Sequence, residues 1–204
     1  YRNGLPLDPG DAFSMVNVWD EPVLFPLMQT GNATNTGVEL SVDHHLTNTI
    51  FYQGNISLYR SQFTGNTDET LNSRWDGNYL LNLLGGKEFK KVKADRVRTW
   101  GISGRLNVAG GQWTPPLPTI ADVNGQVLYA GDSSMVQLAT YYRIDLRIYL
   151  KMDRKGRTGM WSVDLENVTN AQNEAYRYFD VRKGEVVTKY QLGIIPNLSY
   201  RIEF

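Results

Sequence analysis

The chain has 204 residues, enough for one domain or for a slice of a larger one. Its 21 Lys and Arg balance 21 Asp and Glu, so no net field favours nucleic acid, and nucleic acid is excluded as an expected partner. With no Cys there are no disulfides, thiolates or Cys-based zinc sites, and two His in one dipeptide leave little for metal or imidazole chemistry.

No apolar run approaches the ~18 residues of a membrane-spanning helix. A membrane-spanning barrel passes this test, because its strands need only alternate. The chain opens at Tyr1 without a Met, basic or apolar leader pattern and reads as a mature or excised piece.

Residues 1–35 are the least strand-like, broken by Pro6, Pro9, Pro22 and Pro26, with Phe13–Trp19 as a candidate short strand. From residue 36 onward the dominant period is two. Val38, Leu40, Val42 and Leu46 share one face, against Glu39, Ser41, Asp43 and His45. Ile50, Tyr52, Gly54, Ile56 and Leu58 oppose Gln53, Asn55, Ser57 and Ser61. A polar stretch with a turn at Gly65–Asp68 runs to Asn78, and a less regular strand follows over 78–91. Trp100, Ile102, Leu106 and Val108 oppose Thr99, Ser103, Arg105 and Asn107.

A long connection over 109–138, carrying Gly110-Gly111, Pro115-Pro116 and Pro118, is expected to be functional or partly ordered. The cleanest alternation follows: Tyr142, Ile144, Leu146, Ile148 and Leu150 oppose Arg143, Asp145, Arg147, Tyr149 and Lys151. After the Asp153–Gly159 turn, Trp161, Val163 and Leu165 oppose Ser162, Asp164 and Glu166. The Asn167–Asn173 turn leads to a weaker strand at 174–181, and the stretch from Val186 is expected to join the last strand. There Leu198, Tyr200, Ile202 and Phe204 oppose Asn197, Ser199, Arg201 and Glu203.

The pattern predicts an all-β, antiparallel architecture of about eight strands, mostly 9 to 14 residues long. Soluble strands average roughly 5–6 residues, whereas a tilted bilayer-crossing strand needs about 9–11. Tyr52, Trp100, Tyr142, Trp161 and Tyr200 near strand ends match interfacial aromatic girdles, and the chain closes on an apolar Phe204. These features favour a transmembrane β-barrel over a soluble sheet with one wet face. An Arg facing mid-bilayer lipid costs roughly 2–4 kcal/mol. The lumen-facing set is therefore Glu39, Asp43, Arg105, Arg143, Asp145, Arg147, Arg201 and Glu203, whose mixed sign suits a plugged lumen.

Several segments resemble TonB-dependent outer-membrane receptors of the Bacteroidota type. The closing stretch Gly193 to Phe204 is similar to their last barrel strand, which ends in an aromatic residue. Asn167-Val168-Thr169-Asn170 resembles the Asn-Leu-Phe-Asp-like turn near their C-terminus, with Thr and Asn in place of the aromatic and the acid. Gly110-Gly111-Gln112-Trp113-Thr114-Pro115 followed by Tyr142 to Arg147 resembles their Gly-Gly, Thr-Pro and Arg-Leu-Asp-Leu pattern. Gly37 to Leu40, Ser57 to Ser61 and Asn82 to Phe89 fit as well.

The resemblance covers roughly residues 36–204. It implies the C-terminal strands of a 22-stranded barrel, with 1–35 as a Pro-rich opening segment. Full-length receptors of this kind import a ligand (an iron chelate, cobalamin, glycan or peptide) through the TonB system. The implied partners are outer-membrane lipid, a plug domain, TonB and, in some receptors, a surface lipoprotein. Tyr200, Ile202 and Phe204 would form the barrel-assembly signal. The family's C-terminus is periplasmic. Counting back eight strands puts the Asn167–Asn173 turn and the 109–138 connection inside and the Asp153–Gly159 turn outside, against the short-inside, long-outside habit.

No enzyme, cofactor or metal site is expected. His44 and His45 point to opposite faces of a strand and cannot chelate one ion together. The carboxylates Asp145 and Asp164 suggest acid/base work only weakly, because Asp145 lies between two Arg of its own face and reads as an ion-paired wall residue. Asp132-Ser133-Ser134 and Gly101-Ile102-Ser103-Gly104 are weak echoes of nucleophile or phosphate loops without a base or helix. Aromatic belts explain Arg98-Thr99-Trp100 and Tyr176-Arg177-Tyr178 better than a nucleic-acid or sugar site. Two other readings remain open at this point: a complete eight-stranded outer-membrane barrel, and a soluble β-sandwich binding module.

Overall fold

The computed structural model describes residues 5–7, 28–64, 69–94, 96–114, 120–121, 127–128, 135–180 and 182–204. Phe13–Trp19, the Gly65–Asp68 turn, Pro115, Pro116, Pro118 and Asp132–Ser134 lie outside the described residues. The described chain is all-β: β1 (Leu5–Leu7), β2 (Met28–Thr47), β3 (Ile50–Thr64), β4 (Thr70–Asn72), β5 (Tyr79–Lys93), β6 (Arg96–Ala109), β7 (Trp113–Thr114), β8 (Ile120–Ala121), β9 (Val127–Leu128), β10 (Val136–Gln137), β11 (Tyr141–Arg154), β12 (Arg157–Glu166), β13 (Glu174–Asp180), β14 (Glu185–Tyr190) and β15 (Ile195–Glu203).

One antiparallel sheet in the order β1-β2-β3-β5-β6-β11-β12-β15 dominates, with the short β4 added to β3. Among the described residues it does not close on itself. β15 pairs only with β12, and β2 meets β1 only through Met28–Gly31. β2 begins at Met28, inside the segment that Pro residues were expected to keep irregular. Its 20 residues and the 15 of β3 exceed the expected strand length.

Two expectations fail at the C-terminal end. The run at 174–181 is not a member of the sheet, and the run from Val186 does not join the last strand. β13 and β14 pair with each other, Tyr178 opposite Val187 and Phe179 opposite Val186, as a separate hairpin. β12 instead pairs directly with β15, Trp161 opposite Tyr200 and Val163 opposite Leu198. Alternation does not decide between the two, because the same pattern serves a separate hairpin and a strand of the sheet.

This pairing sorts the connections by length. The turns at Asn48–Thr49, residues 94–95 and Lys155–Gly156 lie at the end of the sheet toward which β15 runs. Asn48 and Thr49 both have positive φ, 49° and 79°, the twist that a two-residue hairpin loop needs. The connections over 65–78, 110–140 and 167–194 all emerge at the opposite end. The short 155–156 turn and the long 109–138 connection therefore occupy ends opposite to those counted from eight consecutive strands.

Within the sheet, the alternation in the sequence becomes two chemically distinct faces. Paired residues in an antiparallel ladder point to the same side. The row Leu40, Ile56, Leu81, Val108, Tyr142 and the row Val42, Gly54, Leu83, Leu106, Ile144 run across five strands on one face. The other face carries Asp43, Gln53, Leu84, Arg105 and Asp145 in one row. On this polar side the Tyr149 ring lies over Gly101, its cross-strand partner, where a Cβ would overlap the ring, and the Tyr149 hydroxyl donates to Glu88. Phe51 covers Gly86 in the same way.

The Gly101–Tyr149 contact yields a first prediction. Gly101→Val should displace Tyr149 and lower stability by about 1–3 kcal/mol. Urea unfolding measures it. Adding Tyr149→Ala should recover most of the loss, and a double variant as unstable as the single one would remove the ring overlap as the cause.

Candidate functional site

Side-chain burial is almost absent. Among the described residues only Phe63, 2% exposed, and Ala171 are buried apolar side chains, with Ala33 and Leu71 packed on Phe63. The apolar face of the long strands is open: Val38 is 72% exposed and Leu198 68%, and Leu40, Ile56, Ile102, Ile148 and Val163 are exposed as well. No described layer covers it. Soluble monomers rarely expose contiguous apolar patches larger than a few hundred Å².

Aromatic residues band both ends of this face. Toward the turn end Phe89, Trp100, Leu150, Trp161 and Tyr200 form one cross-strand row, with the Trp161 and Tyr200 rings 4.5 Å apart. His44 stacks on Tyr52 at 4.8 Å near the same end, and a bulge between His44 and Thr47 breaks the alternation there. Toward the loop end stand Tyr142 and Tyr79, the latter hydrogen-bonded through its hydroxyl to Thr140 at 2.8 Å. Among the described residues no three His, Asp or Glu groups are arranged to hold a metal ion. No described helix is long and apolar enough to cross a membrane, and this says nothing of strands.

The polar face brings most of the sequence-derived set together. Arg143 bridges Asp145 at 3.0 Å and Glu166 at 3.5 Å, while Arg147 reaches Asp164 at 3.5 Å. Arg201 pairs with Glu203 at 2.6 Å, and Glu39 accepts from the Asn55 amide. Asp43 and Arg105 share a row on this face without joining a described ion pair. Asp145, expected between two Arg, takes only Arg143, and its second oxygen accepts from the Asn167 amide at 3.0 Å. Tyr200 and Ile202 lie on the apolar face, and Phe204 follows β15 at 95% exposed.

Two buried polar knots organise the loop end, and sequence reasoning saw them only as turns. In the first, Asp76 is fully buried, accepts from the Ser61 amide at 2.8 Å and meets Arg60 at 3.4 Å. The Ser73 hydroxyl donates to Ser61 at 2.7 Å, and the Trp113 indole donates to the Asp76 carbonyl at 2.9 Å. Gly77 and Gly110 touch backbone to backbone, leaving no room for a Cβ at residue 110.

In the second knot, Asn167 is 3% exposed at φ 53°. Its amide donates to the Ala171 carbonyl at 3.0 Å and the Leu192 carbonyl at 3.3 Å, and its oxygen accepts from the Ala171 amide at 2.9 Å. Asn173 accepts from the Tyr142 amide at 3.0 Å and donates to the Tyr142 carbonyl at 2.8 Å. It thereby imitates a strand neighbour where β12 has ended. The only signal in the sequence was the density of Asn, which tolerates left-handed backbone and mimics peptide groups.

Compared with protein-family models, curated proteins and solved structures, the chain matches none. The functional reading rests on its own geometry.

Asn167→Ala should cost roughly 2–3 kcal/mol locally, about one per lost hydrogen bond. Hydrogen exchange on the full-length protein should show deprotection at Val168 and Ala171 and around β13–β14, with β5 and β6 unchanged. Unchanged protection near Ala171 would show that Asn167 does not hold this loop.

Proposed function

We propose that this chain is a run of membrane-spanning strands from the C-terminal part of a TonB-dependent outer-membrane receptor, and that the full-length protein imports a ligand. The observation that carries the reading is the uncovered apolar face, banded by aromatics at both ends and backed by an ion-paired polar face. Lipid is the medium that makes such a face favourable: each Leu or Ile withdrawn from water gains about 1.5–3 kcal/mol. In lipid every backbone polar group must be paired. The open edges at β2 and β15 accordingly favour a segment of a larger barrel over a complete eight-stranded one. A soluble sandwich would need a second layer on the apolar face.

The sorting of connections supports the same reading. With the three short turns periplasmic and the three long connections extracellular, the chain obeys the short-inside, long-outside habit of outer-membrane barrels. The conflict met in the sequence arises from counting 174–181 as one extra spanning strand, with the run from Val186 joined to the last, which inverts every end before it. In this orientation the residues from Glu39 to Glu203 of the polar face line the lumen against a plug. The loop-end knots and the β13–β14 hairpin face the medium, where ligand or a surface lipoprotein arrives. Iron chelates, cobalamin, glycans and peptides are the ligand classes, tested by uptake in cells with and without the receptor and TonB.

Single Cys residues at Gly184 and Gly156 of the full-length receptor test the orientation. A membrane-impermeant maleimide on intact cells should label position 184 and leave 156 untouched until the outer membrane is permeabilised. Labelling of 156 alone would reverse the topology, and labelling of both would remove the membrane assignment.

Deletion of Phe204 tests the assembly signal. The ring makes almost no contacts, so its loss should leave intrinsic stability nearly unchanged. Outer-membrane abundance of the heat-modifiable barrel should nevertheless fall several-fold, well beyond the effect of Leu146→Ala. Equal, mild losses in both would leave Phe204 an interfacial anchor only.

A further inference from the structure

The zero net charge of the chain conceals a segregation on the apolar side of the sheet. Beyond the aromatic row at the turn end, the next paired positions on that side are Lys91 and Arg98, opposite Met152. One step further, Lys93, Arg96, Arg154 and Arg157 stand in a single row across β5, β6, β11 and β12. All six are exposed, and none makes an ion pair with a described residue. Every carboxylate of the seven long strands, Glu88 and Asp153 nearest among them, points to the opposite face.

Like charges directly opposite one another destabilise a ladder. Four cations in consecutive strands, about 4.8 Å apart, span about 14 Å with no carboxylate of the described strands on their side to relieve them. We propose that this turn-end cationic band is a binding site for the phosphate groups of anionic phospholipids. The inference rests on the membrane orientation proposed above and adds the identity of the lipid to it.

Depth and chemistry both fit. Aromatic belts mark the headgroup boundary. Strands tilted by about 45° carry the two cationic rows about 5 and 9 Å beyond the aromatic row, within the polar slab that flanks the hydrocarbon. Arg96, Arg98, Arg154 and Arg157 present planar forks that take phosphate oxygens in pairs. A zwitterionic headgroup is disfavoured, because its ammonium would face the cationic row with no carboxylate of the described strands on that side to receive it. A singly or doubly anionic phosphodiester lipid of the inner leaflet meets no such penalty, and juxtamembrane cations attract it additively.

Native mass spectrometry of the full-length receptor, loaded from micelles holding equimolar phosphatidylglycerol and phosphatidylethanolamine, tests the site. The wild type should retain phosphatidylglycerol several-fold over phosphatidylethanolamine. The combined Arg96→Gln, Arg154→Gln, Arg157→Gln variant should lose about fivefold or more of that preference, while Lys90→Gln with Arg201→Gln on the polar face keeps it. A heat-modifiable barrel with no preference, or one that the triple variant leaves intact, overturns the inference alone. A preference for lipid A over phosphatidylglycerol in a third micelle also overturns it, by assigning the band to the outer leaflet. A full-length protein that stays soluble and monomeric without detergent overturns the membrane reading itself.

Discussion

The antiparallel hydrogen-bond ladder carries this structure, because the described residues form almost no side-chain core. With Phe63 and Ala171 as the buried apolar residues, stability cannot come from interdigitated side chains as in a globular domain. Continuous pairing over strands of up to 20 residues takes that role. A ladder that long has two faces and two edges, and each must find a suitable medium. The apolar face is favoured by an apolar medium and the ion-paired face by water or polar groups, while open edges leave backbone groups to be paired.

The polar features follow from the same constraint. A strand that stops short leaves its neighbour's backbone groups open, and these must be met at the ends of the sheet. Asn173 does so for Tyr142 beyond the end of β12, and Asp76 does so for Ser61 in the gap on β3 between its pairings with β5 and β4. On the polar face, glycine partners admit the large rings of Tyr149 and Phe51 into the ladder, and the Arg147–Asp164 ion pair likewise joins directly opposed residues. The loops are thus extensions of the sheet's hydrogen bonding.

Charge segregation adds a directional element. The polar face mixes both signs and largely neutralises itself, whereas the charged residues of the described long strands on the apolar side are all cations, concentrated at the end with short turns. A net charge of zero is therefore the sum of one balanced face, one cationic rim and acidic residues elsewhere in the chain. Because the rim lies beside the aromatic row, the two together define a level across the sheet.

Much of this was readable in the sequence for a simple reason: the side-chain period of a strand is local. Val38, Leu40 and Val42 against Glu39, Ser41 and Asp43 need no partner to reveal their faces, so the all-β class, the strand positions and the make-up of both faces were set by residue order alone. Strand pairing is not local. Nothing in the spacing of Tyr176, Tyr178 and Val186 reveals that β13 pairs with β14 and leaves β12 to meet β15, since a hairpin and a sheet strand satisfy the same alternation. That one choice inverted the ends of the sheet at which the connections emerge. The fourfold cationic row, the Asp76 and Asn167 knots and the Gly101–Tyr149 contact likewise join residues far apart in the chain. Tertiary structure alone decided them, because cross-strand neighbours are created by register, and register is fixed only when the whole ladder forms.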